Sequence, residues 1–297
     1  MLHVPVLLEE SLDFLLNDIS GTYLDLTFGR GSHSQEILKR LSPLGKLFAV
    51  DRDMEAVSYA KDNIVDKRFD IFHTNYSQID ALFSEQQFNG ILLDLGTCST
   101  HLDDYSRGFS FQREGLLDMR MDTTQGFSAA SFLNDSTETE ISDVIYKYGE
   151  EKASRRIAKA IVKFRNHTLI NTTSDLVKII ESVLKRTGRT HPATKTFQAI
   201  RIHVNNELEH LKIALEKLSQ ILNKDGVIVI ISFHSLEDRI VKNFFKPNVQ
   251  SLPKDIPVNN IVKESFQCIK KKMKPTAEEI KRNPRSRSAV MRVYSKL

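Results

Sequence analysis

The stretch TYLDLTFGRGSHS, residues 22–34, decides the fold of this chain. Its first residues, Thr22 to Leu26, form a short apolar run that predicts a buried strand. Glycines at positions 29 and 31 then predict a sharp turn, and Ser34 to Leu41 has helical character. A strand that enters a helix through a glycine turn is typical of the first unit of a nucleotide-type α/β sheet.

Strand and helix signals continue to alternate along the first third of the chain. Further strands are predicted at Lys46 to Val50, Phe69 to His73 and Ile91 to Leu95, and a helix at Met54 to Asn63. The run Ile91 to Leu95 is apolar throughout, which indicates a strand buried on both faces. This alternation predicts a mostly parallel, doubly wound sheet.

The alternation stops near Ser106, and only helical patterns follow as far as Thr196. A helix at Asn205 to Leu222 and strands at Val227 to Phe233 and Ala289 to Tyr294 then return to the first pattern. We therefore predict one α/β domain, formed by residues 1–105 and 197–297 and interrupted by an all-helical domain at 106–196. The inserted domain is the expected substrate-recognition part.

Composition is that of an ordinary globular protein, with 40% hydrophobic and 27% charged residues. The two cysteines, Cys98 and Cys268, have neither metal-ligand nor disulfide-framework spacing, so we predict no metal site and a reducing, cytoplasmic location. The N-terminus lacks the basic leader of a signal peptide. The longest apolar run, Val227 to Ile231, is too short to cross a membrane, so no membrane association is expected.

A cofactor motif surrounds the glycine turn. Asp25 ends the first predicted strand, Gly29 and Gly31 follow, and Asp51 ends the second strand, where a carboxylate can accept hydrogen bonds from ribose hydroxyls. The third glycine of the dinucleotide fingerprint is replaced by Ser34. An acid before the glycines favours S-adenosylmethionine over a dinucleotide, although an ordinary glycine turn stays open as the alternative.

Two later residues fit the same pocket. Tyr76 follows the third strand and could pack on adenine, or could be a half-buried aromatic at a strand end. Asp94 ends the fourth strand, and ligands bind at the carboxyl ends of strands in such sheets. A carboxylate that closes an apolar strand must be solvated, paired or functional, and we favour a functional role.

Several long strings of the sequence resemble one family, the ribosomal RNA small-subunit methyltransferase H family, also called MraW. They cover nearly the whole chain, in family order: Thr27–Gly31, Leu92–Gly96, Arg107–Phe111, Leu117–Asp122, Tyr148–Glu151, His191–Arg201, Ile231–Arg239 and Asn283–Ser288. The resemblance implies a Rossmann-like methyltransferase domain with a helical insert. It also implies transfer of a methyl group to N4 of a cytidine in 16S rRNA, in the decoding region of the small ribosomal subunit.

The same resemblance assigns cofactor contacts to seven residues: Gly31, Ser32, His33, Asp51, Tyr76, Asp94 and His101. The chain departs from the family pattern at two of them. Ser32 stands where the family usually has a second glycine, which serine can replace if φ is negative there. Thr97–His101 stands where the family has Val-Ser-Ser-Pro-Gln, so the role of His101 depends on a histidine in place of glutamine.

Methyl transfer to a cytosine amino group needs an acceptor for the amino proton. Asp94 is the first candidate, and His234, directly after a predicted strand, is the second. The spacing of Ser235 and Asp238 offers another interpretation of this segment, a capping box that starts a helix.

Two basic segments predict contact with RNA phosphates. Residues 146–190 hold 11 Lys or Arg against 4 Asp or Glu, and residues 263–287 hold 9 against 3. In the predicted helix Lys152 to Arg165, four of these residues form a stripe beside an apolar face: Lys152, Arg156, Lys159 and Lys163. Either segment could instead be an ordinary solvated surface.

Three other functions remain open at this stage. A cytosine C5 methyltransferase would use Cys98 as its nucleophile. An RNA-binding assembly protein could keep the fold without activity, but the intact Asp25, Gly29, Gly31, Asp51 and Asp94 set argues against it. A methyltransferase acting on a small molecule would leave the two basic segments unexplained.

Overall fold

The computed structural model describes residues 5–186, 188, 191–246 and 266–297. The chain divides into two compact units, residues 1–96 with 209–297, and residues 97–208. The inserted domain predicted at 106–196 falls within the second unit, and its boundaries stay a prediction. No helix among the described residues is both long enough and apolar enough to span a membrane.

The first unit contains a seven-stranded, mostly parallel sheet, as the sequence predicts. Its strands are β1 (Thr22–Asp25), β2 (Lys46–Asp51), β3 (Phe69–His73), β4 (Phe88–Asp94), β5 (Leu222–Ser232), β6 (Phe266–Met273) and β7 (Val290–Lys296). Their order is β3-β2-β1-β4-β5-β7-β6. Strands β1 to β5 pair in parallel, and β7 lies antiparallel to both β5 and β6.

The central strands β4 and β5 are buried on both faces, which explains their continuous apolar runs. In β4, Ile91 and Leu93 pack into one core, and Leu92 packs into the core on the other face. Strand β5 alternates in the same way. The helices of this unit are α1 (Leu8–Leu15), α2 (Ser32–Arg40), α3 (Met54–Asn63), α4 (Asp80–Phe83), α11 (Glu207–Ile221, which starts two residues before the unit), α12 (Ser235–Phe244) and α13 (Ala277–Arg282).

The second unit is helical, with no strand in its described part. Its helices are α5 (Ser99–Asp103), α6 (Ala129–Asp135), α7 (Glu138–Gly149), α8 (Ser154–Arg165), α9 (Thr173–Val183) and α10 (Thr194–Val204). They enclose one apolar core of their own. The buried amide of Asn205 fixes the long segment before α6, because it accepts from the Met121 N–H at 2.8 Å and donates to the Met119 carbonyl at 2.7 Å.

The structure adds one strand that the sequence analysis did not predict. Strand β6 is the outermost strand on its side of the sheet and carries Lys270, Lys271 and Lys272. Lysines are frequent on exposed strand edges, where they oppose pairing with other chains. A charged edge strand lacks the alternation that reveals a half-buried strand, so the segment looked only basic.

Candidate active site

The sheet of the first unit has a switch point between β1 and β4. From β1 the chain continues to β2 and β3 on one side, and from β4 to β5 on the other. Ligands of open α/β sheets bind in the crevice at the carboxyl ends of such strands. Asp25 ends β1 and Asp94 ends β4, and the Asp94 N–H donates to Thr27 Oγ1 at 2.7 Å.

The glycine turn has the backbone conformation that its sequence predicts. Gly29 and Gly31 have φ of 56° and 70°, in the left-handed region that favours glycine. A Cβ at Gly31 would also collide with the Phe28 ring. Gly31 is therefore required by packing inside the loop, whether or not a ligand approaches it.

Helix α2 begins directly after the turn. Its N-cap is Gly31, which has no side chain to cap the first turn. The first amides of a helix bind anionic groups, so this helix start is suited to a carboxylate. Ser32 does not have a positive φ, which satisfies the condition for serine to replace a glycine at this position.

Asp25 has a structural role in the loop. Its carboxylate is buried and accepts from the Thr27 N–H at 3.0 Å and from the Ser34 hydroxyl at 2.6 Å. Burial raises the pKa of Asp25 to about 6, although both hydrogen bonds act in the opposite direction. Ser34, which replaces the third glycine of the dinucleotide fingerprint, is thus a partner of the acid that precedes the glycines.

Asp51, at the end of β2, connects the glycine turn to the next helix. One carboxylate oxygen accepts from the Gly29 N–H at 2.7 Å, and the other accepts from the Asp53 N–H at 2.8 Å. The side chain is only partly buried. Because it is partly exposed at the carboxyl end of β2, this carboxylate can accept from the ribose hydroxyls of a bound ligand.

Asp94 differs from both other aspartates. Its Oδ1 is buried and accepts no hydrogen bond from any described residue. Its Oδ2 lies 3.7 Å from Nδ1 of His33, a buried residue in the first turn of α2. Burial raises the pKa of Asp94 well above its ordinary value, and the negative charges of Asp25 and Glu237 add to this effect. The structure thus places His33 beside Asp94 and leaves one buried carboxylate oxygen available.

Tyr76 begins a short 3-10 helix, Tyr76–Gln78, just after β3. The ring is partly buried and packs against the apolar core on the face of the sheet that contains Ile91 and Leu93. Asn75 fixes this turn, since its Oδ1 accepts from the Ser77 N–H at 2.9 Å and its amide lies 2.9 Å from His210 Nδ1. The partial exposure of Tyr76 fits a ring that packs on adenine, and it fits equally a half-buried aromatic at a strand end.

His234 is the N-cap of α12, one residue earlier than the predicted cap. Its Nδ1 accepts from the Glu237 N–H, and the Glu237 carboxylate accepts from the N–H groups of His234 and Phe233. The capping box therefore joins His234 and Glu237, and the proposed Ser235–Asp238 pairing is wrong. Asp238 instead forms a two-point ion pair with Arg292 on β7, at 2.7 and 3.0 Å. Glu237 was not predicted from the sequence, and its signal was its position three residues after His234, the spacing of a capping box.

His101 belongs to the second unit, in α5. The residue is buried, and its ring stacks on Phe109 with a centroid distance of 4.8 Å. Its predicted contact with the cofactor stays a prediction. Cys98 is the N-cap of α5, and its sulfur accepts from the Thr100 hydroxyl at 3.2 Å.

The basic stripe predicted in residues 152–165 is exposed. Its members Lys152, Lys159 and Lys163 lie on the surface, while the Arg156 guanidinium donates to the Val183 carbonyl at the end of α9, at 2.8 Å. The second basic segment is described from residue 266 onward, with residues 263–265 outside the described part. Most of its basic side chains are also exposed.

Comparison with known proteins identifies the family. A profile of the MraW methylase family matches residues 1–297. The chain belongs to the MraW methylase family. Among curated members of this family, a protein of Nitrosomonas europaea named ribosomal RNA small subunit methyltransferase H is 48% identical over 310 residues, covering 100% of this chain and 98% of that protein. The protein of the same name from Legionella pneumophila strain Paris is also 48% identical, with 99% of each chain covered.

Two solved structures of methyltransferases are also similar to this chain. A putative rRNA methylase from Clostridium thermocellum matches with a TM-score of 0.47 and 11% identity over 100% of both chains. A putative methyltransferase from Streptococcus mutans, in complex with SAH, matches with a TM-score of 0.46 and 14% identity, also over 100% of both chains.

Proposed function

We propose that this protein transfers the methyl group of S-adenosylmethionine to N4 of a cytidine in 16S rRNA, in the decoding region of the small ribosomal subunit. Family membership and the name shared by its curated relatives support methylation of small-subunit rRNA. The observation that carries the proposed chemistry is the buried, unbonded Oδ1 of Asp94 at the switch point of the sheet. An acceptor in this position suits a substrate that brings an N–H group.

The residues of the first unit fit S-adenosylmethionine. Asp51 lies partly exposed at the end of β2, where its carboxylate can accept from the ribose hydroxyls. The start of α2, at Gly31 and Ser32, suits the carboxylate of the methionine part. Tyr76 offers a partly exposed ring for the adenine. When bound, the cofactor supplies a methyl group that is already activated by its sulfonium, so the protein has mainly to position the acceptor nitrogen.

Asp94 is the proposed acceptor of the amino proton. The lone pair of the cytosine amino group is conjugated with the ring, so the nitrogen becomes a better nucleophile when a carboxylate holds one of its protons. Asp94 Oδ1 can hold that proton and take it as the new N–C bond forms. The raised pKa of Asp94 makes the ionised carboxylate a stronger base. A direct role of His234 stays a prediction, and its observed role is to cap α12.

The target base must leave its stack to reach such a pocket. We propose that the exposed lysines of α8 and of the segment 266–287 hold RNA phosphates. Changing Lys159 and Lys163 to Glu should weaken RNA affinity and flatten its salt dependence, with cofactor affinity unchanged. These two lysines test the surface better than Arg156, whose guanidinium also supports the end of α9. RNA affinity equal to wild type at several salt concentrations would leave the stripe as a solvated surface.

Nucleoside mass mapping tests the reaction itself. Small-subunit rRNA from cells that lack the protein should miss one N4-methylcytidine, and the purified protein should restore it. The variant Asp94→Asn should fail to restore the modification, whereas Asp62→Asn, an exposed change on α3, should restore it. Identical methylation maps with and without the protein would refute the proposal.

A cysteine-dependent C5 reaction is distinguished by a second experiment. RNA that contains 5-fluorocytidine traps an enzyme that adds a thiolate to the ring. We expect no covalent adduct, and we expect Cys98→Ser to keep most of the activity. An adduct that disappears in Cys98→Ser would move the protein to the C5 class.

A further inference from the structure

The second unit has a cavity that the proposed reaction does not use. The cavity has a volume of about 560 Å³ and lies among α6, α7 and the last turn of α10. This volume is in the range of sites that hold a drug-sized ligand. None of the residues predicted to bind the cofactor or to act in catalysis lines it.

Aromatic rings form one wall of the cavity. Phe127, Phe132, Tyr148 and His203 all line it, and the Phe127 side chain is 45% exposed. His203 holds this wall together, with ring centroids 4.5 Å from Phe132, 5.6 Å from Phe127 and 6.3 Å from Tyr148. Exposed ring faces attract cations through their quadrupole.

The other lining side chains are mainly acidic. Asp135, Glu140 and Asp143 line the cavity, against Lys147 as the one basic side chain besides His203. Hydrogen bonds from Thr137 lower the pKa of Glu140, so this group is anionic. Burial lowers the pKa of His203 more than the nearby Glu140 raises it, so the imidazole is neutral at pH 7. The cavity therefore carries net negative charge in a protein whose net charge is +4.

Two of the carboxylates do not stabilise the fold through ion pairs. Neither Asp135 nor Asp143 forms an ion pair with a described residue. Asp135 is the last residue of α6, where the helix dipole disfavours a negative charge. The aromatic wall already contacts one cation, because the Lys147 ammonium lies 5.2 Å from the centroid of the Tyr148 ring.

We propose that this cavity binds an arginine side chain from a basic protein segment. A guanidinium is planar, stacks on aromatic faces and makes two-point contacts with carboxylates, which suits rings and acids better than an ammonium does. The cavity has room for the neighbouring residues of the segment as well. Phosphate groups would be repelled by the acids, so RNA is not the expected occupant.

The experiment measures binding of a fluorescently labelled peptide, Ala-Arg-Gly-Arg-Ala, to the full-length protein by anisotropy. A matched peptide with citrulline in place of arginine keeps the shape and loses the charge. We expect the arginine peptide to bind and the citrulline peptide to bind at least five-fold more weakly. Equal affinity for both peptides would overturn the proposal.

Variants then locate the site. The pair Asp135→Asn and Asp143→Asn should weaken binding about five-fold, and Phe127→Ala about three-fold. Lys147→Ala should strengthen binding, because it removes the cation that competes for the Tyr148 ring. The matched control is Glu114→Gln with Glu138→Gln, two exposed acids of the same unit that do not line the cavity.

Three further outcomes would contradict the proposal. An equal loss in the control pair would show general attraction to an acidic surface. Unchanged affinity in Phe127→Ala and in the Asp135 and Asp143 pair would place the peptide elsewhere. Competition by free cytidine, with no effect of the carboxylate variants on cytidine affinity, would assign the cavity to a nucleobase.

Discussion

The carboxyl ends of β1 and β4 differ in what their aspartates do. Asp25 and Asp94 end neighbouring strands, and burial raises the pKa of both. The Asp25 oxygens accept from Thr27 and Ser34, whereas Asp94 Oδ1 accepts from no described residue. The same residue type therefore builds the loop at one strand end and leaves an acceptor at the other. Local hydrogen-bond satisfaction, rather than burial or position, separates the structural acid from the proposed catalytic one.

The largest expected effect comes from Asp94→Asn. An amide cannot take the amino proton, so the single-turnover rate of methyl transfer should fall by about 10²- to 10⁴-fold. The melting temperature should stay close to that of the wild type, because Oδ1 has no described partner to lose. A wild-type rate in this variant would mean that Asp94, like Asp25, has no catalytic role.

The Asp25 carboxylate should affect the stability of the fold, and the pH dependence of that stability, rather than the rate of methyl transfer. A folded-state pKa of about 6, above the ordinary 3.8, means that the folded protein binds the proton more tightly than the unfolded chain. Stability in the wild type should therefore fall as pH rises from about 4 to about 6, by about 3 kcal/mol from this group.

Asp25→Asn stays neutral and should lack this part of the decline. Urea unfolding of both proteins at several pH values measures the difference. Parallel stability curves for the variant and the wild type would show that the Asp25 carboxylate does not titrate in this range.

Asp51 combines features of Asp25 and Asp94, since its carboxylate accepts hydrogen bonds from two backbone N–H groups and stays partly exposed. Asp51→Ala should lower the affinity for S-adenosylmethionine by about 10- to 100-fold through loss of charged hydrogen bonds. Calorimetry on the folded variant measures it. Gly31→Val is a poorer test, because the added side chain collides with Phe28 before any ligand is involved. Unchanged affinity in folded Asp51→Ala would exclude the ribose contact.

The smallest expected effect is a shift in the pH profile of Glu237→Gln. The charge of Glu237 raises the pKa of Asp94, so its removal should lower that pKa. Because Asp94 must be ionised, the rate should then begin to rise at a lower pH than in the wild type. Glu216→Gln, an exposed change on α11, should leave the profile in place. A variant with a lower rate but an unmoved profile would limit Glu237 to its capping role.

Much of the fold followed from local patterns. The β3 prediction matches at both ends, and those for β1, β2 and β7 come within two residues. Such elements are encoded by neighbouring residues, through apolar runs and turn glycines. The edge strand β6 was not predicted because its lysines protect an edge of the sheet from pairing with other chains. That edge exists only once the neighbouring strands are assembled.

The sequence by itself determined which residue types stand at the ends of the strands, and so the class of cofactor to expect. Only the tertiary structure decided their individual roles. It joined Asp25 to Ser34, His33 to Asp94, and His234 rather than Ser235 to the cap of α12. It also brought Phe127, Tyr148 and His203, which are far apart in sequence, to one cavity. Hydrogen bonds and desolvation depend on distances of a few ångströms between such residues, and sequence spacing does not specify those distances.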